Sequence, residues 1–272
     1  TLDMGANDIQ VGGELEVIGT DAERVKITSS DSSGWNGITV GEGTTGDAVL
    51  NMTGAYLNEL ATYAVTLGVD ASNVSGPVSI TDTRIRMDTD FRDAIRLRYM
   101  SAGTSTFENN VFYFDGVGSY AFDADSSLST NRTVDIRYNT IITNSSGTGA
   151  INFGDSTGST YNIERNLIAG YSYAILQNSS TPVHNIVNNF MRAASHWDGT
   201  GGGGGNGTWD SVTENLVEAD DGEPDNFGAT WDTSQIFENY PGGDFRLAQT
   251  STFPSLSQAS NVASMEGSLT AG

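Results

Sequence analysis

A degenerate repeat of 23 to 29 residues constrains the fold of this chain more than any other feature of its sequence. In six segments an apolar residue is followed three positions later by Asn or Thr and five positions later by another apolar residue. The leading apolar residues are Ile80, Phe107, Ile136, Ile163, Ile186 and Val212, at successive spacings of 27, 29, 27, 23 and 26 residues. A repeat of this length predicts a solenoid in which each copy forms one turn.

A second series keeps step with the first and predicts at least two short strands in each turn. Its members are Gly37-Ile38, Ala64-Val65, Ala94-Ile95, Ala121-Phe122, Ala150-Ile151 and Ala174-Ile175, at spacings of 27, 30, 27, 29 and 24 residues. Apolar and polar residues alternate around them, which is the period of a strand and not of a helix. We call the sheet expected from these segments the Ala-Ile sheet.

The third position of the first series predicts a polar column inside the solenoid. Stacked turns place equivalent residues about 4.8 Å apart, and a buried Asn at a tight corner can accept from its own turn while donating to the next. We extend the series backwards with Val25 and Leu50 as leading residues. The expected column therefore comprises Thr28, Thr53, Thr83, Asn110, Asn139, Asn166, Asn189 and Asn215.

Asn ladders at the corner between two strands are typical of the right-handed parallel β-helix superfamily that includes the pectate lyases. The chain resembles that superfamily, at the level of the fold, over about residues 10–220. We therefore expect an all-β chain that forms one domain over residues 1–272, a right-handed parallel β-helix of about eight turns with an internal Asn/Thr ladder. Over about residues 196–272 we expect an irregular region, with a glycine-rich loop at Gly201–Gly205 and a C-terminal cap that contains the DFRL segment.

Composition narrows the partners that such a solenoid can have. Thirty-four acidic residues against 12 basic ones give a formal charge of −22, which disfavours nucleic acid and anionic membranes as partners. Lys26 is the only lysine, a bias that resembles proteins of salt-loving organisms; an ordinary acidic secreted protein is the alternative. No cysteine is present, and no apolar run reaches the roughly 20 residues needed for membrane insertion.

The alternation of the Ala-Ile sheet predicts which side chains point outward from it. One column reads Thr39, Thr66, Arg96, Asp123, Asn152, Leu176, and a second reads Gly41, Gly68, Arg98, Asp125, Gly154, Asn178. The resemblance implies that saccharides lie along the outer face of one parallel sheet. We therefore take Arg96, Arg98, Asp123 and Asp125 as candidate catalytic residues, with candidate substrate-binding residues at Tyr63, Asp93, Tyr120, Asn152, Tyr173 and Asn178.

Three interpretations of this patch stay open. A polysaccharide lyase would use an Arg as base and carboxylates that hold calcium beside a uronate. A glycoside hydrolase would use Asp123 and Asp125 as acid and base. The third is a pair of cross-strand salt bridges, each contributing less than about 1 kcal/mol at the surface. Glu108, Arg137 and Glu164 alternate in sign on the other sheet, which indicates that such ladders can be purely structural.

No cofactor follows with certainty from the sequence. Asp123-Ala124-Asp125 and Asp220-Asp221-Gly222-Glu223 could hold calcium, but neither has a complete EF-hand loop. His184 and His196 do not make a metal site by themselves. We expect an extracellular or cell-surface protein whose partner is a polysaccharide or cell-surface glycan. The alternative is a structural module, such as a surface-layer, adhesin, filament or viral fibre segment, whose copies assemble end to end.

Overall fold

The computed structural model of the protein is built of strands that wind around a common core. It describes residues 1–20, 22–41, 48–68, 75–88, 92–115, 120–124, 132–153, 159–177, 183–187 and 189–198, and the short strands 211–213, 216–217, 237–239 and 244–247. Every regular element in these ranges is a β-strand. Consistently, a search of the described residues finds no helix that could cross a membrane.

The first five turns each contain three separate strands. In chain order they are Leu2–Asp3 (β1), Ile9–Val11 (β2), Glu14–Ile18 (β3); Val25–Thr28 (β4), Ile38–Val40 (β5), Ala48–Thr53 (β6); Ala55–Leu57 (β7), Val65–Leu67 (β8), Ser75–Thr81 (β9); Arg84–Met87 (β10), Ile95–Leu97 (β11), Gly103–Glu108 (β12); Val111–Phe114 (β13), Phe122–Ala124 (β14) and Arg132–Arg137 (β15).

In the following turns, two of the three strands merge into one long strand. The elements are Thr140–Phe153 (β16), Thr160–Glu164 (β17), Leu167–Gln177 (β18), Val183–Val187 (β19), Phe190–Asp198 (β20), Ser211–Thr213 (β21) and Leu216–Val217 (β22). Only five turns of the described chain keep three separate strands, because two strands merge in the later turns. This count of five regular turns differs from the expected eight turns. Phe237–Asn239 (β23) and Asp244–Leu247 (β24), which contains the DFRL segment, form a separate antiparallel pair.

Strands of successive turns pair in parallel and form three faces. The first sheet stacks β1, β4, β7, β10 and β13 onto the start of β16, and the Ala-Ile sheet stacks β2, β5, β8, β11 and β14 onto its end. The third sheet has the order β3, β6, β9, β12, β15, β17, β19, β21. The predicted all-β parallel solenoid is thus confirmed, with a third strand in each turn beyond the two that the repeat predicts.

Apolar residues that alternate along each strand form the core as stacked columns. In the Ala-Ile sheet, Ile38, Val65, Ile95, Phe122, Ile151 and Ile175 lie one above another, as the second series predicts. The Phe122 ring packs edge-on against Phe107 of the third sheet and Phe112 of the first, at centroid distances of 5.1 and 4.9 Å. The three faces are therefore held together by one continuous apolar interior.

The Asn ladder is present inside the corner between the third and first sheets. Asn139 donates from its side chain to Asn166 Oδ1 at 3.0 Å and to the Phe107 carbonyl at 2.9 Å, and its own Oδ1 accepts from the side chain and backbone of Asn110. The same pattern repeats between Asn166 and Asn189, and Thr83 joins the column through its backbone N–H. All these residues are buried, so the predicted ladder is confirmed from Thr83 to Asn189.

The backward extension of the ladder to Thr28 and Thr53 is wrong. Met52, not Leu50, pairs with Ile80, so the ladder position of that turn is Ala55. Val25 pairs with Ala55 and occupies the ladder position one turn earlier. A shift of two residues leaves every side chain on the same face of a strand, and alternation alone therefore could not reveal the error. The last expected member, Asn215, lies outside the described residues, as does the glycine run.

Candidate functional site

The Ala-Ile sheet carries the first outward column in the predicted register. Arg96 of β11 pairs with Thr66 of β8 on one side and with Asp123 of β14 on the other. Asp123 pairs in turn with Asn152 of β16, and Asn152 with Leu176 of β18. The structure therefore brings Arg96, Asp123 and Asn152 together on three successive turns.

Asp123 lies between a cation and an amide. Its Oδ2 is 3.8 Å from Arg96 Nε, and its Oδ1 accepts a hydrogen bond of 2.8 Å from Asn152 Nδ2. Both carboxylate oxygens are thus engaged by a neighbouring turn, which holds the side chain in one orientation. The result is a rigid polar row of guanidinium, carboxylate and amide.

Arg96 is also held from the preceding turn by an aromatic ring. Its guanidinium carbon lies 4.6 Å from the centroid of the Tyr63 ring, and Nη1 donates to the Tyr63 hydroxyl at 2.9 Å. The contact combines a cation–π interaction with a hydrogen bond. Arg96 is therefore oriented on two sides, by Tyr63 and by Asp123.

The outward row is unusually well buried for the outer face of a sheet. Asp123 and Asn152 are each 4 % exposed, Leu176 is 7 % exposed, and the Arg96 side chain is 17 % exposed. The third of the open interpretations took this contact as a surface ion pair contributing less than about 1 kcal/mol, and the burial of Asp123 makes that figure too low. Removing one partner of a buried pair costs about 3 to 5 kcal/mol, since the other charge stays buried without compensation.

Tyrosines line another column beside the polar row, which we call the tyrosine column. Asp93 is buried, and its Oδ1 accepts from the backbone N–H of Tyr120 at 3.1 Å, which fixes the turn that carries this ring. Gly149 pairs with Tyr173 in the neighbouring turn. A Cβ on Gly149 would come within 3.0 Å of Tyr120 Cε1 and 2.9 Å of Leu176 Cδ1, so the Tyr120 ring lies against this glycine.

Gly149 is the residue of this site that the sequence interpretation missed. The residues immediately before the Ala positions read Tyr63, Asp93, Tyr120, Gly149, Tyr173, so that tyrosine alternates with a smaller residue from turn to turn. A ring that spans more than the spacing of one turn needs a smaller neighbour beside it. That alternation was visible in the sequence and could have identified Gly149.

The second outward column is only partly described. Arg98 donates its backbone N–H to the Leu67 carbonyl, one residue before Gly68, as the predicted column requires. Its side chain is partly buried, and its Nε has no hydrogen-bond acceptor among the described residues. Asp125 and Asn178 lie outside the described residues, so the pairing of Arg98 with Asp125 stays a prediction.

The third sheet carries a separate row of charges and amides on its outer face. Glu108, Arg137 and Glu164 pair in consecutive turns, which confirms the predicted register. Arg137 contacts Asp135 at 2.5 Å and Glu164 at 3.9 Å. The hydrogen bond to Asp135 raises the pKa of the Arg137 guanidinium, and the neighbouring carboxylates add to the effect. This row offers a matched control for the Ala-Ile sheet.

Neither expected calcium segment is fully described, since Asp125 and residues 220–223 fall outside the described ranges. Within those ranges, no three His, Asp or Glu side chains cluster closely enough to hold a metal ion. His184 lies on β19 of the third sheet and His196 on β20, which continues the Ala-Ile sheet.

No protein-family model matches the chain, and searches of the curated proteins and of the solved structures find no match either.

Proposed function

We propose that this protein is an extracellular or cell-surface β-helix that contacts polysaccharide along the outer face of the Ala-Ile sheet. The observation that carries the proposal is the row of Arg96, Asp123 and Asn152, held at 3.8 and 2.8 Å and flanked by the Tyr63 ring. The Asn ladder supports membership of the pectate-lyase-like superfamily, whose fold the chain resembles.

The chemistry of the polar row and of the adjacent tyrosine column fits a sugar polymer. A saccharide site needs an apolar platform for the ring faces and polar groups for the hydroxyls. The column of Tyr63, Tyr120 and Tyr173 supplies aromatic rings, and the adjacent row supplies a guanidinium, a carboxylate and an amide. Because both columns repeat with the turns of the solenoid, they extend in the direction in which a chain of sugars would lie.

Catalysis at this site would centre on Asp123. Hydrolysis with inversion uses two carboxyl groups about 6.5 to 9.5 Å apart, and Asp125 would have to supply the second. A lyase would use Arg96 or Arg98 as base, with carboxylates that hold calcium. Both reactions stay part of the proposal, and the products of digestion distinguish them, because a lyase leaves an unsaturated sugar that absorbs in the ultraviolet.

The test is a binding and turnover screen against neutral and acidic polysaccharides, with and without calcium. Arg96→Ala and Asp123→Ala, singly and together, should abolish retention on the sugar that the parent protein binds. Asp123→Asn preserves the size of the side chain and serves if the Ala variants do not fold. Arg137→Ala, which removes an arginine paired with carboxylates on the third sheet, should leave binding unchanged. Equal losses in Arg96→Ala and Arg137→Ala would reject the proposed site.

A further inference from the structure

A buried arginine lies at the corner where the Ala-Ile sheet leads into the third sheet. Arg132 begins β15, and its side chain shares the inward parity of Val134 and Ile136. The residue is only 2 % exposed and is among the largest fully buried side chains of the described chain. A guanidinium is charged at every relevant pH, so this position holds a full positive charge away from water.

The charge of Arg132 is not balanced by a carboxylate in the part of the chain that the structure describes. Arg86, Arg96 and Arg137 each lie within 4.0 Å of an Asp or Glu, and Arg132 has no such contact with a described residue. The contrast is notable in a chain with 34 acidic and 12 basic residues. Burying an ion without a partner of opposite charge costs several kcal/mol.

Neutral groups accept only some of the hydrogen bonds that this guanidinium can donate. Nη1 donates to the Arg98 carbonyl at 3.1 Å and Nη2 to the Tyr161 hydroxyl at 3.3 Å. Nε is buried and has no hydrogen-bond acceptor among the described residues, and the same holds for Nε of other arginines, Arg98 and Arg137 among them, so this donor alone does not single out Arg132. Arg132 differs from these two in being almost fully buried, whereas Arg98 and Arg137 are partly exposed.

The residues that stack on Arg132 are small. Gly103 pairs with it in the preceding turn. In the following turn its neighbour is Ser159, which precedes Thr160, the partner of Thr133. Arg132 therefore has no bulky side chain above or below it in its own column.

We propose that Arg132 anchors a binding site for one small monovalent anion of the size of chloride. The anion would accept from the Nε–H of Arg132 and offset the buried positive charge. Burial of the guanidinium excludes a polymer or a large oxyanion, and the net charge of −22 opposes multivalent anions. The site lies on the core side of the sheet and does not depend on the proposed contact with polysaccharide.

The first test is a chloride titration of unfolding at constant ionic strength, with sodium gluconate replaced stepwise by sodium chloride. A bound anion should raise the unfolding midpoint until it saturates. At a chloride concentration of about ten times the dissociation constant, the equilibrium constant for unfolding should fall about elevenfold. The Arg132→Gln variant should lose this increment, and the Arg137→Gln variant, a paired arginine on the third sheet, should keep it. No increment in the parent protein, or equal increments in all three, would overturn the proposal.

The second test does not require any variant to fold. Crystals of the parent protein grown in sodium bromide should show an anomalous peak within about 3.5 Å of the Arg132 guanidinium. A difference map without a peak there, in crystals that bind bromide elsewhere, would reject the site. The Arg98 carbonyl, the Tyr161 hydroxyl and the negative potential of the surface would then be what offsets the charge of the guanidinium.

Discussion

Replacing Asn139 by Ala removes one member from the middle of the buried ladder. Asn139 has neighbours on both sides in the column, Asn110 and Asn166, and all three are at most 1 % exposed. Water therefore does not reach the groups that lose a partner. Asn139 does not have a positive φ, so its backbone conformation is open to Ala.

The size of the effect follows from the individual hydrogen bonds. The backbone N–H of Asn110 loses its acceptor, Asn139 Oδ1, and the Phe107 carbonyl loses the donor Asn139 Nδ2. Asn166 Oδ1 still accepts from the backbone N–H of residue 139. Each buried group left without a partner costs about 1 to 3 kcal/mol, so the free energy of unfolding should fall by about 2 to 6 kcal/mol. Asn139→Leu should be no better, since an apolar side chain neither donates nor accepts.

The measurement is urea unfolding followed by circular dichroism, with Asn162→Ala as the matched control. Asn162 also belongs to an amide row, donating to Asp135 at 2.7 Å and accepting from Asn185 at 2.8 Å, but on the partly exposed outer face of the third sheet. Water can replace those bonds, and the control should lose less than about 1 kcal/mol. Equal losses in the two variants would refute the argument that burial, and not the amide row as such, sets the cost.

Three further predictions concern the glycine corners, the surface charge and one half-buried phenol. Gly37 has a φ of 81°, and a Cβ there would lie 1.9 Å from the Tyr63 carbonyl oxygen. Gly37→Ala should therefore lower the free energy of unfolding, measured by thermal unfolding, by more than about 1 kcal/mol. Gly13→Ala should not, because a Cβ on Gly13 would meet open space. With a net charge of −22, the melting temperature should rise with ionic strength in sodium gluconate, and a flat or falling curve would count against surface self-repulsion. Burial raises the pKa of Tyr56 above 10.0, with Arg86 opposing the shift. The stability that this phenol contributes is full below pH 10 and is lost as pH rises through its folded pKa, so Tyr56→Phe should lose less stability than the parent between about pH 9 and pH 12.

Several features of the fold follow from the sequence because a solenoid repeats one local rule. The ladder from Thr83 to Asn189 and the columns of the Ala-Ile sheet could be predicted from the spacing of the repeats. Each turn stacks on the next, so equivalent residues of successive repeats become neighbours. The register of the charged row Glu108, Arg137 and Glu164 was predictable for the same reason. In these cases the spacing of one residue type along the chain equals its stacking in space.

The first turns show where this reading fails. Thr53 ends β6 and Ala55 begins β7, and the question is which of the two meets Thr83. Alternation is unchanged by a shift of two residues, so only the paired backbone decides between them. The corner glycines Gly19 and Gly54, whose backbones approach too closely for any side chain, hold that register in place.

The sequence by itself determined the class of fold, the internal ladder and the identity of the outward row Arg96, Asp123 and Asn152. Only the tertiary structure decided that this row is buried, that the Tyr120 ring lies against Gly149, and that Arg132 points inward without a described carboxylate beside it. The physical reason is that facing and register are properties of a single strand and its neighbours in the repeat. Burial and charge balance depend on all the groups that several turns and corners place around one atom. A periodic pattern in the sequence does not show which groups those are.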